Sequence, residues 1–229
     1  MTQTTRHDKD SVWQALTDEI VSGALAPGTP LPERSLVDRF GISRTPIRQV
    51  LWMLERDGLV DVHPNRGAFV KKLGAGEIIE LFQLREALEP LAAALAATHR
   101  PGPEAVALKA RMLEAVADPE RDTRDLVKLG AELHDALATW SGNKMLQRIY
   151  ETLRLQTYLL RNLLSDSAGS ERSSLDEHIV ILSAIVARDA PGAFTAMARH
   201  LGRARLTIVG EMFGQGATQL GPIPVEAGR

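Results

Sequence analysis

Hydrophobic positions along this chain follow the spacing of helices almost throughout, with one short exception near residue 60. Apolar residues recur at intervals of three and four, the pattern of a helix that buries one face. Between Leu31 and Val70 this pattern predicts two short helices on either side of Gly41, a residue that permits a sharp reversal. Leu59–Val62 and Ala68–Val70 then read as short strands joined by a turn.

The second of these helices is predicted to carry polar groups on its outer face. Ser43 stands at the N-cap position. The stripe that must be buried is Ile47, Val50, Leu51 and Leu54. The opposite face carries Thr45, Arg48, Gln49 and Trp52, with Arg44 at its flank. Such a face suits the edges of bases in a DNA major groove, and Arg66 at the tip of the following turn suits a minor groove or a phosphate. The alternative is a solvated surface helix pair, but the pattern continues through the strands for forty residues.

Beyond residue 76 the chain is predicted to be entirely helical. The helical segments lie near residues 77–98, 103–117, 122–141, 144–164, 171–188 and 191–213. Six helices of this length can enclose one core. The predicted fold is therefore mainly α, with an N-terminal winged helix-turn-helix followed by an all-α helical bundle. The expected divisions are a winged helix-turn-helix domain at 8–72, a linker at 73–76, a bundle at 77–213 and a disordered tail at 214–229.

Composition limits the location and the partners of the chain. The 229 residues include no Cys, which fits a reducing cytoplasm. The polar N-terminus does not resemble a signal peptide, and the longest apolar stretch, Leu91–Ala97, is too short to span a bilayer. Residues 1–72 carry 10 Lys and Arg against 9 Asp and Glu. We therefore expect no membrane partner, and nucleic-acid binding that depends on a local basic patch rather than on overall charge.

Three histidines of the helical region are candidate metal ligands. His134, His178 and His200 each lie in or near an apolar stripe. The turn at Asp189–Gly192 is expected to fold its two helices antiparallel, which brings His178 and His200 to nearly the same level. Two imidazoles at one level can share a metal ion, and a third would complete a facial set. The alternative for each is a core histidine with one hydrogen bond, and spacing alone leaves both interpretations open.

The N-terminal motif resembles a known family. The segments IVSGALAPGTPLPE, ERSLVDRFGISRTPIRQVLWMLERDGLV and PNRGAFV are similar to the winged-helix domain of GntR-type bacterial transcription regulators. The resemblance implies DNA contacts by Arg34, Arg44, Thr45 and Arg48. The wing residues that match positions near the minor groove are His63 and Gly67, beside Arg66. Trp52 stands where the family usually has a polar residue, and we interpret it as packing against the other domain or a dimer mate.

The helical region resembles the FCD ligand-binding domain of the FadR-type branch. The segments that carry the resemblance are GAELHDALATWSGNKML and LDEHIVILSAIVARDAPGAFTAMARHL. Many FCD domains hold zinc or nickel through one Asp and three His, and the three His correspond to His134, His178 and His200. This chain has Gly130 where the Asp is expected. The resemblance therefore implies a divalent metal site that lacks its anionic ligand, with weaker affinity or with an acidic effector in its place. An unmetallated cavity for an organic ligand is the other interpretation.

The next helix supplies candidate effector contacts. Arg154, Tyr158 and Arg161 are spaced three and four apart and could clamp a carboxylate if they face the cavity. A solvated helix face explains the same spacing.

The favoured hypothesis is a homodimeric transcription regulator, not an enzyme. It would bind a palindromic operator in double-stranded DNA and respond to a small-molecule effector, expected to be a carboxylate by family analogy. The alternative is a metal-dependent hydrolase that uses the three histidines. No general base, nucleophile motif or phosphate loop accompanies them in the sequence.

Overall fold

The protein is mainly α-helical with one small antiparallel sheet, as the sequence predicts. A computed structural model describes residues 8–99, 102–162 and 168–213, so the predicted tail at 214–229 lies outside the described residues. In chain order the elements are α1 (Lys9–Val21), α2 (Glu33–Phe40), α3 (Arg44–Arg56), β1 (Val60–His63), β2 (Gly67–Val70), α4 (Ala75–Thr98), α5 (Pro103–Ala117), α6 (Thr123–Trp140), α7 (Lys144–Asn162), α8 (Ala168–Val186) and α9 (Ala190–Phe213).

The chain divides into two compact units. The first unit comprises Met1–Leu73 together with Gln147–Ser165, and the second comprises Gly74–Leu146 together with Asp166–Arg229. Most of α7 is therefore grouped with the winged helix. Sequence analysis assigned the whole of 77–213 to one bundle, and the observed grouping differs from it in this helix.

The first unit is a three-helix cluster with a wing. α3 packs against α1 and α2, and Gly41 ends α2 with a positive φ of 67° that allows the reversal into α3. β1 and β2 pair in antiparallel register with Val60 opposite Val70. A further extended segment was not expected from the sequence. The Gly28 N–H donates to the Val70 carbonyl and the Leu31 N–H to the Ala68 carbonyl, so residues 28–31 lie along the outer edge of β2.

In the second unit α4 packs mainly against α9, and α8 contacts α4, α5, α6 and α9. Its core is formed by apolar side chains that include Phe82, Met112, Leu126, Leu133, Leu137, Ile181, Leu182 and Ile185. A turn joins the last two helices at residues 187–189, slightly earlier than the predicted Asp189–Gly192. Asp189 caps α9, because its carboxylate accepts a hydrogen bond from the Gly192 N–H. Among the described residues we find no helix with the length and hydrophobicity needed to span a lipid bilayer.

Candidate nucleic-acid interface and candidate metal centre

Helix α3 separates a buried apolar stripe from an exposed polar face. Ile47, Val50, Leu51 and Leu54 are buried as predicted. The exposed residues of the helix include Arg44, Thr45, Arg48, Gln49 and Trp52. The Ser43 side chain makes no capping hydrogen bond, so it does not occupy the N–H groups of the first turn. Those groups and the outer face are free of helix packing and can approach a phosphate or a base edge.

Arg48 forms an ion pair with Glu33, which begins α2. Its Nε donates to Glu33 Oε1 at 2.8 Å, while 58% of the Arg48 side chain remains exposed. The hydrogen bond from Arg48, with the charge of Glu33, raises the pKa of this arginine above its ordinary value. An exposed pair of this kind contributes little to stability, because water screens it. The guanidinium can therefore leave Glu33 for a stronger acceptor.

The wing presents its predicted residues to solvent. His63 ends β1 and Gly67 begins β2, and both are exposed together with Arg66 in the turn between them. The turn depends on Asn65, which adopts a positive φ of 63° that asparagine tolerates better than most residues. Phe69 lies behind the tip, with its ring centroid 6.0 Å from the Arg66 guanidinium carbon. Arg34 is also exposed, on α2.

The three candidate metal ligands meet in the interior of the second unit. His134 on α6, His178 on α8 and His200 on α9 are each at most 4% exposed. The Nε2 atom of His178 lies 3.2 Å from Nε2 of His134 and 3.1 Å from Nε2 of His200. The three potential ligand atoms all lie within 4.8 Å of one another. The level match predicted from the α8–α9 turn thus holds in the structure.

Two carboxylates orient two of these rings. His134 Nδ1 donates to Glu89 on α4 at 2.5 Å, and His200 Nδ1 donates to Glu177 on α8 at 2.7 Å. Because an ionised carboxylate only accepts, the proton of each ring lies on Nδ1. The Nε2 atoms of His134 and His200 therefore carry lone pairs directed at the shared space. This is the usual arrangement of a metal-binding histidine with a carboxylate behind it.

Each carboxylate is held ionised by an arginine. Burial would raise the pKa of Glu89, but Arg85 and His134 outweigh it and hold the pKa well below its ordinary value. Burial likewise acts to raise the pKa of Glu177, and hydrogen bonds from His200 and Arg203 lower it to about 2. Burial lowers the pKa of His200, although Glu177 opposes the change. The neutral imidazole that a metal requires is thus favoured at this position.

Gly130 lies directly beside the cluster, on α6. A Cβ atom at this position would be 3.2 Å from Cε1 and 3.4 Å from Nδ1 of His178. A side chain here would point at the histidine cluster, yet it would press the His178 ring by a few tenths of an ångström. The position that the family resemblance assigns to an Asp therefore faces the site but is partly occupied by the His178 ring.

Two of the three nitrogen–nitrogen separations in the cluster suit a shared divalent ion. Zinc–nitrogen bonds of about 2.0–2.1 Å place ligand nitrogens roughly 2.9 Å apart in octahedral and roughly 3.3 Å apart in tetrahedral coordination. The observed separations of 3.1 and 3.2 Å lie between these values. Two of the three rings, those of His134 and His200, are held in the tautomer that leaves Nε2 available to a metal. Histidines that only fill a core would not need this arrangement.

Two of the three predicted effector residues lie on the described part of α7. Arg154 and Tyr158 line an open cavity of about 510 Å³ in the first unit, together with residues that include Trp13, Thr17 and Asp57. Their role as a clamp for a carboxylate effector stays a prediction. Arg161 lies on α7, but its side chain is outside the described part of the chain.

Sequence reasoning missed the residues that support the histidines. Arg85 and Glu89 are spaced i, i+4 on α4, and Arg85 Nε donates to Glu89 Oε1 at 2.6 Å in a pair that is almost fully buried. In the sequence this spacing resembles an ordinary surface ion pair. The available signal was their spacing of three or four residues from the apolar residues Phe82, Ala92 and Ala93, which indicates the buried face of α4. Glu177, directly before His178, offered a weaker one.

Comparisons with known proteins agree with both halves of the structure. Residues 8–70 match the family of bacterial regulatory proteins called the gntR family, and residues 80–203 match the FCD domain. The transcriptional repressor RspR of Escherichia coli is 27% identical over 191 residues, which cover 83% of this chain and 84% of the relative. The Uxu operon regulator of Haemophilus influenzae is 30% identical over 207 residues, which cover 83% of this chain and 77% of the relative.

A solved structure, E. coli McbR/YncC, shares the fold with a TM-score of 0.73 at 21% identity, covering 92% of this chain and 99% of its own. These matches support a transcription regulator and give no support to the hydrolase alternative. Because the FCD match alone spans more than half of the sequence and follows a GntR match, the chain belongs to the GntR family of bacterial transcription regulators, in the group that carries an FCD domain.

Proposed function

We propose that this GntR-type regulator binds a palindromic operator and that an anionic effector at a three-histidine metal centre controls its affinity for that operator. The observation that carries the proposal is the convergence of three buried Nε2 atoms, two of them with tautomers fixed by Glu89 and Glu177. The same chain carries an exposed recognition helix. A sensor and a DNA reader are therefore present together.

The DNA-contacting set is proposed to be the exposed side of α2, the start of α3 and the tip of the wing. Its members are Arg34, Arg44, Thr45, Arg48, His63, Arg66 and Gly67. Arg44, Thr45 and Arg48 lie within the first turns of α3, the part of a recognition helix that enters the major groove. All seven are exposed, as contact with a duplex requires.

His134, His178 and His200 would hold the ion, with zinc or nickel as candidates. A bound divalent ion would supply a Lewis-acidic centre with open positions for an oxygen ligand. Glu89 and Glu177 orient two of the imidazoles and hold the proton of each ring on Nδ1. Arg85 and Arg203 compensate those two carboxylates, so the surroundings add no net negative charge.

Glycine at position 130 favours an anionic effector over a neutral one. With an Asp in this position one negative charge would offset the ion, whereas glycine leaves the full double charge facing the cavity. An anionic effector then gains more from binding here than a neutral one, because the charge it meets is uncompensated in a buried site. We therefore propose a carboxylate effector whose oxygen serves as the anionic ligand that the chain lacks.

A homodimer is proposed from an apolar stripe on α4. Leu84 and Leu91 lie two turns apart and are 50% and 42% exposed, with Ala87 exposed between them. A stripe of this kind on a helix is typical of a surface that a second subunit covers. Two-fold pairing of subunits would match the symmetry of a palindromic operator.

The test combines operator selection with metal and effector titration. Operator duplexes are first selected from random DNA with the full chain, and affinity is then followed by fluorescence anisotropy. The protein is compared after chelation, after loading with Zn²⁺, and after addition of small mono- and dicarboxylates such as acetate and succinate. The proposal expects carboxylates to change operator affinity at least fivefold only in the metal-loaded protein. An equal response in the chelated protein, or none in either, would contradict it.

A further inference from the structure

Trp52 is the most unusual residue on the recognition helix. It lies in the middle of α3 and is 61% exposed, although tryptophan is normally buried to a much larger extent. A large apolar side chain left on the surface of a regulatory domain generally marks a contact surface. The residues of α3 proposed for DNA contact, Arg44, Thr45 and Arg48, occupy its first turns and do not include Trp52.

Helix geometry places Trp52 in line with the proposed DNA-contacting residues. Trp52 follows Thr45 by seven residues, which brings it back to within about 20° of the same side, roughly 10.5 Å farther along the axis. Gln49 lies between them on the same face and is exposed. A continuous polar-to-aromatic strip therefore runs from the start of α3 to its third turn. The major groove is about 12 Å wide, so the far end of this strip reaches its edge.

The surroundings of Trp52 carry positive charge. Trp52, Gln49 and Met53 line an open concavity of about 370 Å³ together with Lys9 of α1 and Arg56 of α3. Lys9 lies 3.8 Å from Asp10, and Arg56 pairs with Asp57 at 3.0 Å, but neither acid lines the concavity. Both cations are accessible to another partner, because 43% and 72% of their side chains are exposed. The concavity thus combines a flat apolar surface with two cations at its rim.

We propose that Trp52 is a further DNA contact, with its indole packed against the deoxyribose–phosphate backbone at the edge of the groove and with Lys9 and Arg56 beside the adjoining phosphates. The indole N–H can donate to a phosphate oxygen while the ring covers the sugar. This contact reads no base directly. It fixes how deeply α3 lies in the groove and extends the binding site beyond the bases that Arg44 and Arg48 face.

The DNA backbone fits this surface better than a second copy of the chain. The concavity is continuous with the recognition face, so a protein subunit seated on it would cover part of α3 and exclude the duplex. Two cations at the rim complement phosphate and would have to be desolvated against another subunit. The inference rests on the proposed use of the outer face of α3 and adds to it one aromatic residue and two cations.

The first measurement is intrinsic fluorescence of the full chain with a selected operator duplex. The sequence has three tryptophans, at positions 13, 52 and 140, and Trp52 is by far the most exposed of the large apolar residues on the recognition helix. Operator binding is expected to protect Trp52 from iodide quenching, and the protection should disappear in Trp52→Phe. Equal iodide quenching with and without operator in the wild-type protein would overturn the proposal.

The second measurement is affinity at several salt concentrations. Trp52→Ala should weaken operator binding about tenfold, the change expected from the loss of roughly 60 Å² of apolar contact, and Trp52→Phe should retain most of the affinity. Trp52→Ala should leave the salt dependence unchanged, whereas Lys9→Ala and Arg56→Ala should each reduce its slope by about one. Circular dichroism checks that each variant is folded.

Arg48→Ala serves as the matched control on the same helix face. If Arg48→Ala loses operator binding while Trp52→Ala binds like the wild type, the inference about Trp52 is wrong and the proposed DNA interface stands. If Trp52→Ala dissociates a dimer in the absence of DNA, the surface belongs to a second copy and the proposal is overturned as well. Sedimentation equilibrium decides this last point.

Discussion

Gly130 and His178 are packed so closely that the glycine is what lets the imidazole take its place in the cluster. A Cβ at position 130 would lie 3.2 Å from His178 Cε1. The departure of this chain from the Asp found in many FCD domains is therefore a matter of both charge and space. A metal site here would have three neutral ligands. The His178 ring occupies part of the space that a fourth ligand side chain at position 130 would need.

We expect Gly130→Asp to bind Zn²⁺ more tightly than the wild type, by about tenfold, because it adds an anionic ligand directed at the cluster. The His178 ring must shift by a few tenths of an ångström to admit it. Affinity is measured by competition with a chromophoric chelator.

Gly130→Ala is the matched control for Gly130→Asp, since it adds the same Cβ without a carboxylate. It should bind Zn²⁺ slightly more weakly than the wild type. If Asp and Ala at position 130 have equal affinity, the side chain does not reach a shared ion and the three histidines are not one site.

Glu177→Gln should lower Zn²⁺ affinity by about 10- to 100-fold, because the ring of His200 exchanges a charged, acceptor-only partner for a neutral amide whose NH2 group can also face the ring. This carboxylate is a better probe than Glu89, whose loss would leave Arg85 buried without its carboxylate and destabilise the fold by about 3–5 kcal/mol. Asp176→Asn changes an exposed acid one residue away and should have no effect on affinity. Equal affinities of the two variants would contradict the supporting role of Glu177.

The pH dependence of stability follows from the lowered pKa of Glu177. The ordinary pKa of 4.5 falls to about 2 in the folded chain, so the carboxylate stabilises the native state above pH 4.5. Between pH 4.5 and about 2 the unfolded chain takes up a proton that the folded chain does not, and this contribution is lost as the pH falls.

Urea unfolding of metal-free protein between pH 7 and 3 measures this effect. The difference in unfolding free energy between the wild type and Glu177→Gln should be constant above pH 5 and should shrink below pH 4.5. A difference that stays constant down to pH 3 would show that Glu177 is not held ionised by the fold.

Arg48→Ala should reduce operator affinity by about 5- to 150-fold per half-site, the range for losing one bidentate contact to a base, without unfolding the protein. Arg39→Ala is a matched control, because Arg39 also forms an exposed ion pair, with Glu19, and is outside the proposed contact set. Fluorescence anisotropy with the selected operator compares the affinities of the Arg48→Ala and Arg39→Ala variants. Unchanged affinity of Arg48→Ala would refute the assignment of the α3 face.

Leu91→Glu should shift the protein toward monomer, since it places a charge in the exposed apolar stripe of α4. Sedimentation equilibrium measures the shift, and Val106→Glu on α5 is the control because Val106 is also exposed, at 54%, but lies outside the stripe. Dissociation by both variants, or by neither, would place the dimer interface elsewhere.

The sequence was sufficient for the elements and for the level match of His178 and His200, because each depends on local spacing. His134 was assigned to the same set through the family resemblance. The three-residue connection between α8 and α9 sets the levels of His178 and His200, whatever surrounds them. Contacts between residues far apart in the sequence could not be predicted in this way. The buried stripe of α7, with Leu146, Leu153 and Leu160, shows that one face is covered but does not show by what. The edge pairing of residues 28–31 with β2 leaves no periodic signal, and the Arg85–Glu89 pair looks like a surface pair until burial is known.

The resting partner of Arg48 also bears on how the regulator would search a genome. On a duplex without a suitable guanine edge, the guanidinium can remain paired with Glu33, and no ion pair has to be broken. In the proposed interface, a site with two well-placed acceptors would compete with Glu33 for the side chain, and discrimination would then come from an exchange of partners. The acid at the start of α2 would thus act as an internal competitor for the operator, and its removal should make the protein bind unrelated DNA more readily.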